Sequence, residues 1–109
     1  MNINITIKNL ELTPAIKEYI EKKMNALQKF MKDWIATGSV QMHFDLGKNT
    51  VRHHKGNIYY AEANLQVPGT MIRAQKNNDN LYAAIDATQE VLIEAIKEYK
   101  NKLKSKNIN

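Results

Sequence analysis

Apolar and polar residues alternate at the start of the chain, with Ile3, Ile5 and Ile7 set against Asn4, Thr6 and Lys8. A period of two predicts a strand with one buried face. The period changes at Thr13-Pro14, where Thr suits a helix N-cap and Pro the first helical position. Ile16, Ile20, Met24, Leu27, Met31 and Trp34 then recur at helical spacing. Residues 14–33 are therefore expected to form an amphipathic helix, and Gly38 breaks the pattern. Alternation returns twice, in Val40, Met42, Phe44, Leu46 and in Ala61, Ala63, Leu65, Val67. These runs predict a second and a third strand. Between them residues 47–57 hold Gly47, Asn49, Gly56 and Asn57 around Arg52-His53-His54-Lys55 and read as a basic loop. Pro68-Gly69 is a turn dipeptide, and residues 70–76 complete a fourth strand.

The last element is the longest. Leu81, Ile85, Thr88, Leu92, Ile96, Tyr99 and Leu103 fall in a stripe roughly 80° wide at about 100° per residue. A helix over residues 80–104 would span roughly 37 Å at about 1.5 Å per residue. That exceeds an ordinary sheet, so its end should project, and residues 105–109 should fray. The order β-α-β-β-β-α predicts a single α+β domain over residues 1–104. In it a four-stranded mixed sheet carries both helices on one face, strand 1 is parallel to a neighbour, and the other strands form an antiparallel meander.

Charge is distributed unevenly. Residues 97–109 hold five lysines and one glutamate, a net +4, whereas residues 1–96 hold 11 basic and 10 acidic side chains. A nearly neutral body with a basic helical end fits a polyanion partner. It also fits a solvated helix C-terminus, where cations are favoured. The chain has no cysteine, which excludes disulfides and thiolate chemistry. No continuous apolar run is long enough for a signal peptide or a membrane span, so a cytoplasmic protein without membrane attachment is the expectation.

Three constellations could carry function. Lys97, Lys100 and Lys104 group on one flank of the last apolar stripe and Lys102 and Lys106 on the other, an arrangement able to straddle a phosphate backbone. In the loop, Arg52 can fork onto phosphate, His54 can stack on a base or bond a ribose, and Lys55 adds charge. A metal site using these histidines with His43 and Asp45 is a rival reading, and a plain solvated loop a third. The open sheet face, including Asn4, Thr6, His43, Tyr60, Glu62, Asn64 and Arg73, offers one aromatic for base stacking. A solvated or protein-contacting face suits it better. Asp45 and Glu62 should be neighbours there, without the burial that tunes an acid/base pair. No phosphate-cradling Gly loop or nucleophile elbow occurs. An enzyme is not expected, nor is a cofactor or a small-molecule substrate.

Three stretches together resemble the ribosome hibernation-promoting factor family, also called ribosome-associated inhibitor or sigma-54 modulation proteins. They are Asn4-Ile5-Thr6 with Leu10-Glu11-Leu12-Thr13-Pro14-Ala15-Ile16; His53-His54-Lys55-Gly56-Asn57 with Ala61-Glu62-Ala63-Asn64-Leu65 and Val67-Pro68-Gly69; and Leu81-Tyr82-Ala83-Ala84-Ile85-Asp86. The resemblance implies a fold akin to double-stranded RNA-binding domains. It implies a translation inhibitor on the small ribosomal subunit, held by 16S ribosomal RNA and neighbouring ribosomal proteins in the channel for messenger and transfer RNA. The chain looks like the short form of the family, without an added dimerisation domain or acidic tail. The resemblance also assigns RNA contacts to Lys23 and Lys29 on the first helix, Arg73 on the last strand, and Lys100, Lys102 and Lys104 on the last helix. Ala26, Val91, Glu94 and Glu98 depart from it, standing where family members favour Lys or Arg. Two rivals remain beside this reading: a diverged relative that binds another structured RNA, and a protein-interaction module using the polar sheet face.

Overall fold

The computed structural model describes residues 1–50 and 56–107. β1 (Asn2–Lys8) leads into α1 (Pro14–Asn25), a 3-10 turn (Ala26–Phe30) and the short α2 (Lys32–Ala36). β2 (Gln41–Thr50), β3 (Asn57–Val67), β4 (Thr70–Asn78) and α3 (Leu81–Asn107) follow. The sheet runs β1-β2-β3-β4, with β1 parallel to β2 and the other pairs antiparallel. This is the expected α+β architecture.

Local chemistry sets the element boundaries. The Thr13 hydroxyl accepts the Ile16 amide at 3.2 Å, and Pro14 occupies the first turn of α1. The Asn80 side chain accepts the Ala83 amide at 3.0 Å at the head of α3, where the first amides lack intrahelical partners. Pro68 and Gly69 bridge the paired Val67 and Thr70. Gly69 has φ +86°, as the third residue of a type II turn requires.

One face of the sheet is buried. Met42, Phe44 and Leu46 from β2, Ala61, Ala63, Leu65 and Val67 from β3, and Ile72 and Ala74 from β4 form one core with Ile16, Ile20 and Met24 of α1 and Ala84, Ile85, Leu92 and Ile96 of α3. Both long helices therefore share this face, and the alternating polar residues are left on the other. Thr88 is a fully buried polar residue in the α3 stripe. Its hydroxyl donates to the Ala84 carbonyl at 2.9 Å, with the Ala61 carbonyl also in reach at 3.3 Å, so burial leaves it satisfied.

Three expectations change. The first helix is not continuous to residue 33: the chain tightens into the 3-10 turn, Met31 leaves the helical region at φ −132°, and α2 restarts at Lys32. The apolar stripe survives the break because Leu27 and Met31 are both fully buried. The basic loop is shorter than 47–57, since β2 and β3 pair out to Thr50↔Asn57. Gly47 is a mid-strand residue, because a Cβ there would collide with the ring of Tyr60 on the neighbouring strand. Finally, α3 continues to Asn107 rather than ending at residue 104.

Candidate nucleic-acid interface

The first helical segment meets α3 along a seam, and basic residues gather at both ends of it. At one end the Tyr19 hydroxyl of α1 donates to Asp86 Oδ1 of α3. Lys23 Nζ lies 3.3 Å from the same oxygen and 5.4 Å from the centre of the Tyr19 ring. Tyr82 packs edge-on against Tyr19 with centroids 4.8 Å apart. Gln89 ties the helices further by donating to the Lys23 carbonyl at 2.9 Å. The hydrogen bond to Asp86, aided by desolvation and the carboxylate's charge, holds the Tyr19 phenol above its ordinary pKa. Its own hydrogen bond to Asp86, and then the carboxylate's charge, raise the Lys23 ammonium as well. Lys23 is thus engaged inside the fold. Asp86, singled out only as part of a familiar stretch, is the pin between the helices.

At the other end the 3-10 turn and α2 present Phe30 and Trp34 to α3. Lys29 and Lys97 place their ammonium groups 5.3 and 5.5 Å from the Phe30 ring centre. Lys100 Nζ lies 4.9 Å from the Trp34 ring centre. Tyr99 packs on Trp34 with centroids 5.9 Å apart, and its hydroxyl donates to the Pro68 carbonyl at 2.7 Å. Gly69 makes room for that bond, since a Cβ there would sit 2.7 Å from the Tyr99 oxygen. Among the described residues none of Lys29, Lys97 and Lys100 has a carboxylate within ion-pair distance. A π face attracts a cation without neutralising it, so three charges from two elements converge with their valence available. Trp34 and Tyr99 are legible in the sequence only as stripe residues, and Phe30 is missed by sequence reasoning because it lies off the stripe.

The remaining expected contacts scatter. Lys104 is exposed near the end of α3. Lys102 pairs with Glu98 at 3.7 Å, both side chains about 70% exposed (70% and 72%), and such a pair is weak enough to exchange for a phosphate. Arg73 belongs to the opposite side of the molecule. It lies in a cross-strand row with Asn4, His43 and Asn64 on the open face, so the sheet separates it from the helical lysines. Arg52, His54 and Lys55 lie outside the described residues.

On the open face Asp45 and Glu62 are direct cross-strand partners, as expected. His43 Nε2 is 3.1 Å from Asp45 Oδ1 and 3.0 Å from the Thr6 hydroxyl. No group of three metal-binding side chains occurs among the described residues, and no helix there is long and apolar enough to cross a membrane.

The same succession of elements recurs in known proteins. The family model described as Sigma 54 modulation protein / S30EA ribosomal protein matches residues 3–104. The chain belongs to this family. A ribosome hibernation promoting factor of Klebsiella oxytoca is 32% identical over 104 residues, covering 95% of this chain and 98% of that protein. A ribosome hibernation promotion factor of Deinococcus radiodurans is 30% identical, covering 87% of this chain and 47% of the relative. The chain spans about half the length of that relative and of a Picosynechococcus one (47% and 50%). Among solved structures, the N-terminal domain of Thermus thermophilus Protein Y superposes with a TM-score of 0.72 at 29% identity, covering 91% of this chain and 99% of that one.

Helix α3 carries an acidic row. Asp86, Glu90, Glu94 and Glu98 recur every fourth residue, and the last three are exposed. Val91 is half-buried, and Ala26 is exposed at the end of α1. The helix is therefore divided, with an acidic row along its first two-thirds and cations concentrated at its end.

Proposed function

We propose that this domain binds the small ribosomal subunit in the channel used by messenger and transfer RNA and keeps idle ribosomes silent. It acts in the cytoplasm, by occupying space, with no chemistry and no cofactor. The observation that carries the reading is the convergence of Lys29, Lys97 and Lys100 at the end of the helix seam, in a chain whose family match spans residues 3–104. Relatives named ribosome hibernation promotion factor support it. Lys102 and Lys104 extend the cationic track along α3. Arg73, on the far face, serves a second wall of the channel, and Arg52, His54 and Lys55 add charge from the β2–β3 loop. Phosphate contacts supply affinity through counterion release, so the complex should weaken steeply with salt.

The test is co-sedimentation with purified small subunits over a salt series. Neutralising about four to six phosphates should give a slope of log K against log salt of roughly −3 to −5. A slope near zero at undiminished affinity would remove the phosphate-anchor mechanism. The exposed acidic row favours one alternative, a different structured RNA, and binding to RNA without preference for the subunit would identify it.

A further inference from the structure

We propose that Trp34, flanked by Tyr99, is a stacking site for an unpaired RNA base, with Lys97 and Lys100 taking the phosphate of the same nucleotide. The inference deepens the ribosome-binding reading by naming the chemical form of RNA that this corner recognises. Phosphate anchoring alone needs no aromatic residue. Trp34 packs against the core yet is only partly buried, and the group over its ring is the Lys100 ammonium, 4.9 Å from the centre. An exposed cation–π contact is weaker than a base stacked on an aromatic ring. A nucleotide therefore offers both partners a better arrangement, the base to the indole and the phosphate to the displaced ammonium.

The ring is already held in place by packing against the core and against Tyr99, with ring centroids 5.9 Å apart. The backbone that carries it is pinned too, since the Trp34 carbonyl accepts the Thr37 hydroxyl at 2.8 Å and the Ser39 amide at 3.1 Å. Tyr99 beside it is fixed by its bond to Pro68. Little side-chain freedom remains to be lost when a base arrives. A duplex cannot use the site, because its base faces are stacked on one another and present only edges and backbone. The ligand class is thus single-stranded RNA or an unpaired nucleotide in a folded one.

Trp34 is the chain's single tryptophan, so its fluorescence reports this site alone. The full chain is titrated at low salt with a short single-stranded oligoribonucleotide of mixed sequence and, separately, with a duplex of equal phosphate content. Binding is followed independently by anisotropy of a labelled strand. Quenching of Trp34 should saturate together with the single-strand anisotropy, and the duplex should bind with little quenching. Trp34→Leu should weaken single-strand binding by about tenfold while changing duplex binding by less than about twofold. Trp34→Phe, which keeps an aromatic face, should retain most of the affinity if Trp34→Leu fails to fold. Single-strand binding with unchanged emission, equal quenching by both ligands, or no single-strand binding would each overturn the stacking site. Subunit co-sedimentation separates this failure from the broader one. Wild type that sediments without stacking keeps the ribosome reading, and wild type that stacks RNA without sedimenting keeps only the stacking site.

Discussion

The two ends of the helix seam put lysines on aromatic rings, and they use them differently. At Tyr19 the lysine also meets a carboxylate, so Lys23, Tyr19 and Asp86 form a closed group whose charges satisfy one another. At Phe30 and Trp34 the lysines meet rings only, so Lys29, Lys97 and Lys100 are arranged without being neutralised. What distinguishes the two ends is therefore a carboxylate from the facing helix, which Lys23 meets and Lys29, Lys97 and Lys100 do not. By spacing, Lys23 and Lys29 are alike, and the fold makes them different.

The largest expected effect tests that division directly. Replacing Lys97, Lys100 and Lys104 together by Gln should lower subunit affinity at least about tenfold and flatten the salt slope by about 2 to 3. Thermal stability should change little, by within about 0.5 kcal/mol at each of the exposed Lys97 and Lys104 and by up to about 1 kcal/mol at the partly buried Lys100, which leaves the Trp34 ring. Lys23→Gln should do the reverse, lowering the melting temperature because Asp86 loses its cationic partner and keeps only the Tyr19 hydroxyl, while leaving affinity nearly intact. Affinity loss from Lys23→Gln equal to that of the triple variant would dissolve the distinction.

Next in size is the anchor beneath the open end. Gly69→Ala places a side chain at φ +86° and crowds the Tyr99 hydroxyl. It should cost about 1–3 kcal/mol of stability. Tyr99→Phe in the same chain removes the crowding atom, so the two changes should be less than additive in denaturant titrations. Strict additivity would mean that the turn and Tyr99 are not coupled.

The closed end should show itself in alkali. The folded state holds Tyr19 above its ordinary 10.0 and Lys23 above 10.5. For both groups the protonated form is the one the fold favours. Their contribution is therefore complete below those ordinary values and is lost as pH rises through the higher folded ones. Stability should fall above about pH 10, and Asp86→Asn should flatten that fall, because it removes the first cause of both shifts. Melting curves from pH 8 to 12 measure it, and an unchanged alkaline limb in Asp86→Asn would show that the node does not set it.

Much of this architecture is legible from period and punctuation, because strands and helices bury one face each. Ile16, Ile20 and Met24 recur on one stripe, and Thr13 and Pro14 mark where it begins. The break at Met31 is not legible, since a 3-10 turn keeps the apolar residues inward and so preserves the pattern that would reveal it. Gly47 misleads for a related reason. Glycine is read as a turn, whereas here it vacates space for a ring that arrives from a strand thirteen positions later, at Tyr60. Of the candidate site, Lys29, Lys97 and Lys100 are visible as charges, but their convergence is not. It depends on Trp34 and Tyr99, whose apolar spacing marks them as stripe residues, and on Phe30, which lies off the stripe and gives no signal of its own. The engagement of Lys23 is hidden likewise, because Asp86 is distant in sequence.

The smallest expected effect bears on the acidic row between the two ends. Glu94 is exposed and stands one turn before Lys97 and Glu98 on α3. In the ribosome-bound pose proposed above this side of α3 would face phosphate, where a carboxylate repels and an arginine attracts. Glu94→Arg should therefore tighten subunit binding, by about two- to fivefold for one surface charge reversed, and adding Val91→Lys should tighten it further. The gain should shrink as salt rises, because screening shortens the reach of the repulsion and of the new attraction alike. Subunit affinities of wild type, single and double variants at two salt concentrations give the answer. Weaker binding by Glu94→Arg would show that the acidic row makes a favourable contact with a basic protein wall. In that case the division of α3 into acidic and basic stretches is a two-partner surface, with protein along the row and RNA at the lysine end. Unchanged affinity in every variant would take the middle of α3 off the interface and leave binding to the open end of the seam, where Lys29, Lys97 and Lys100 already converge.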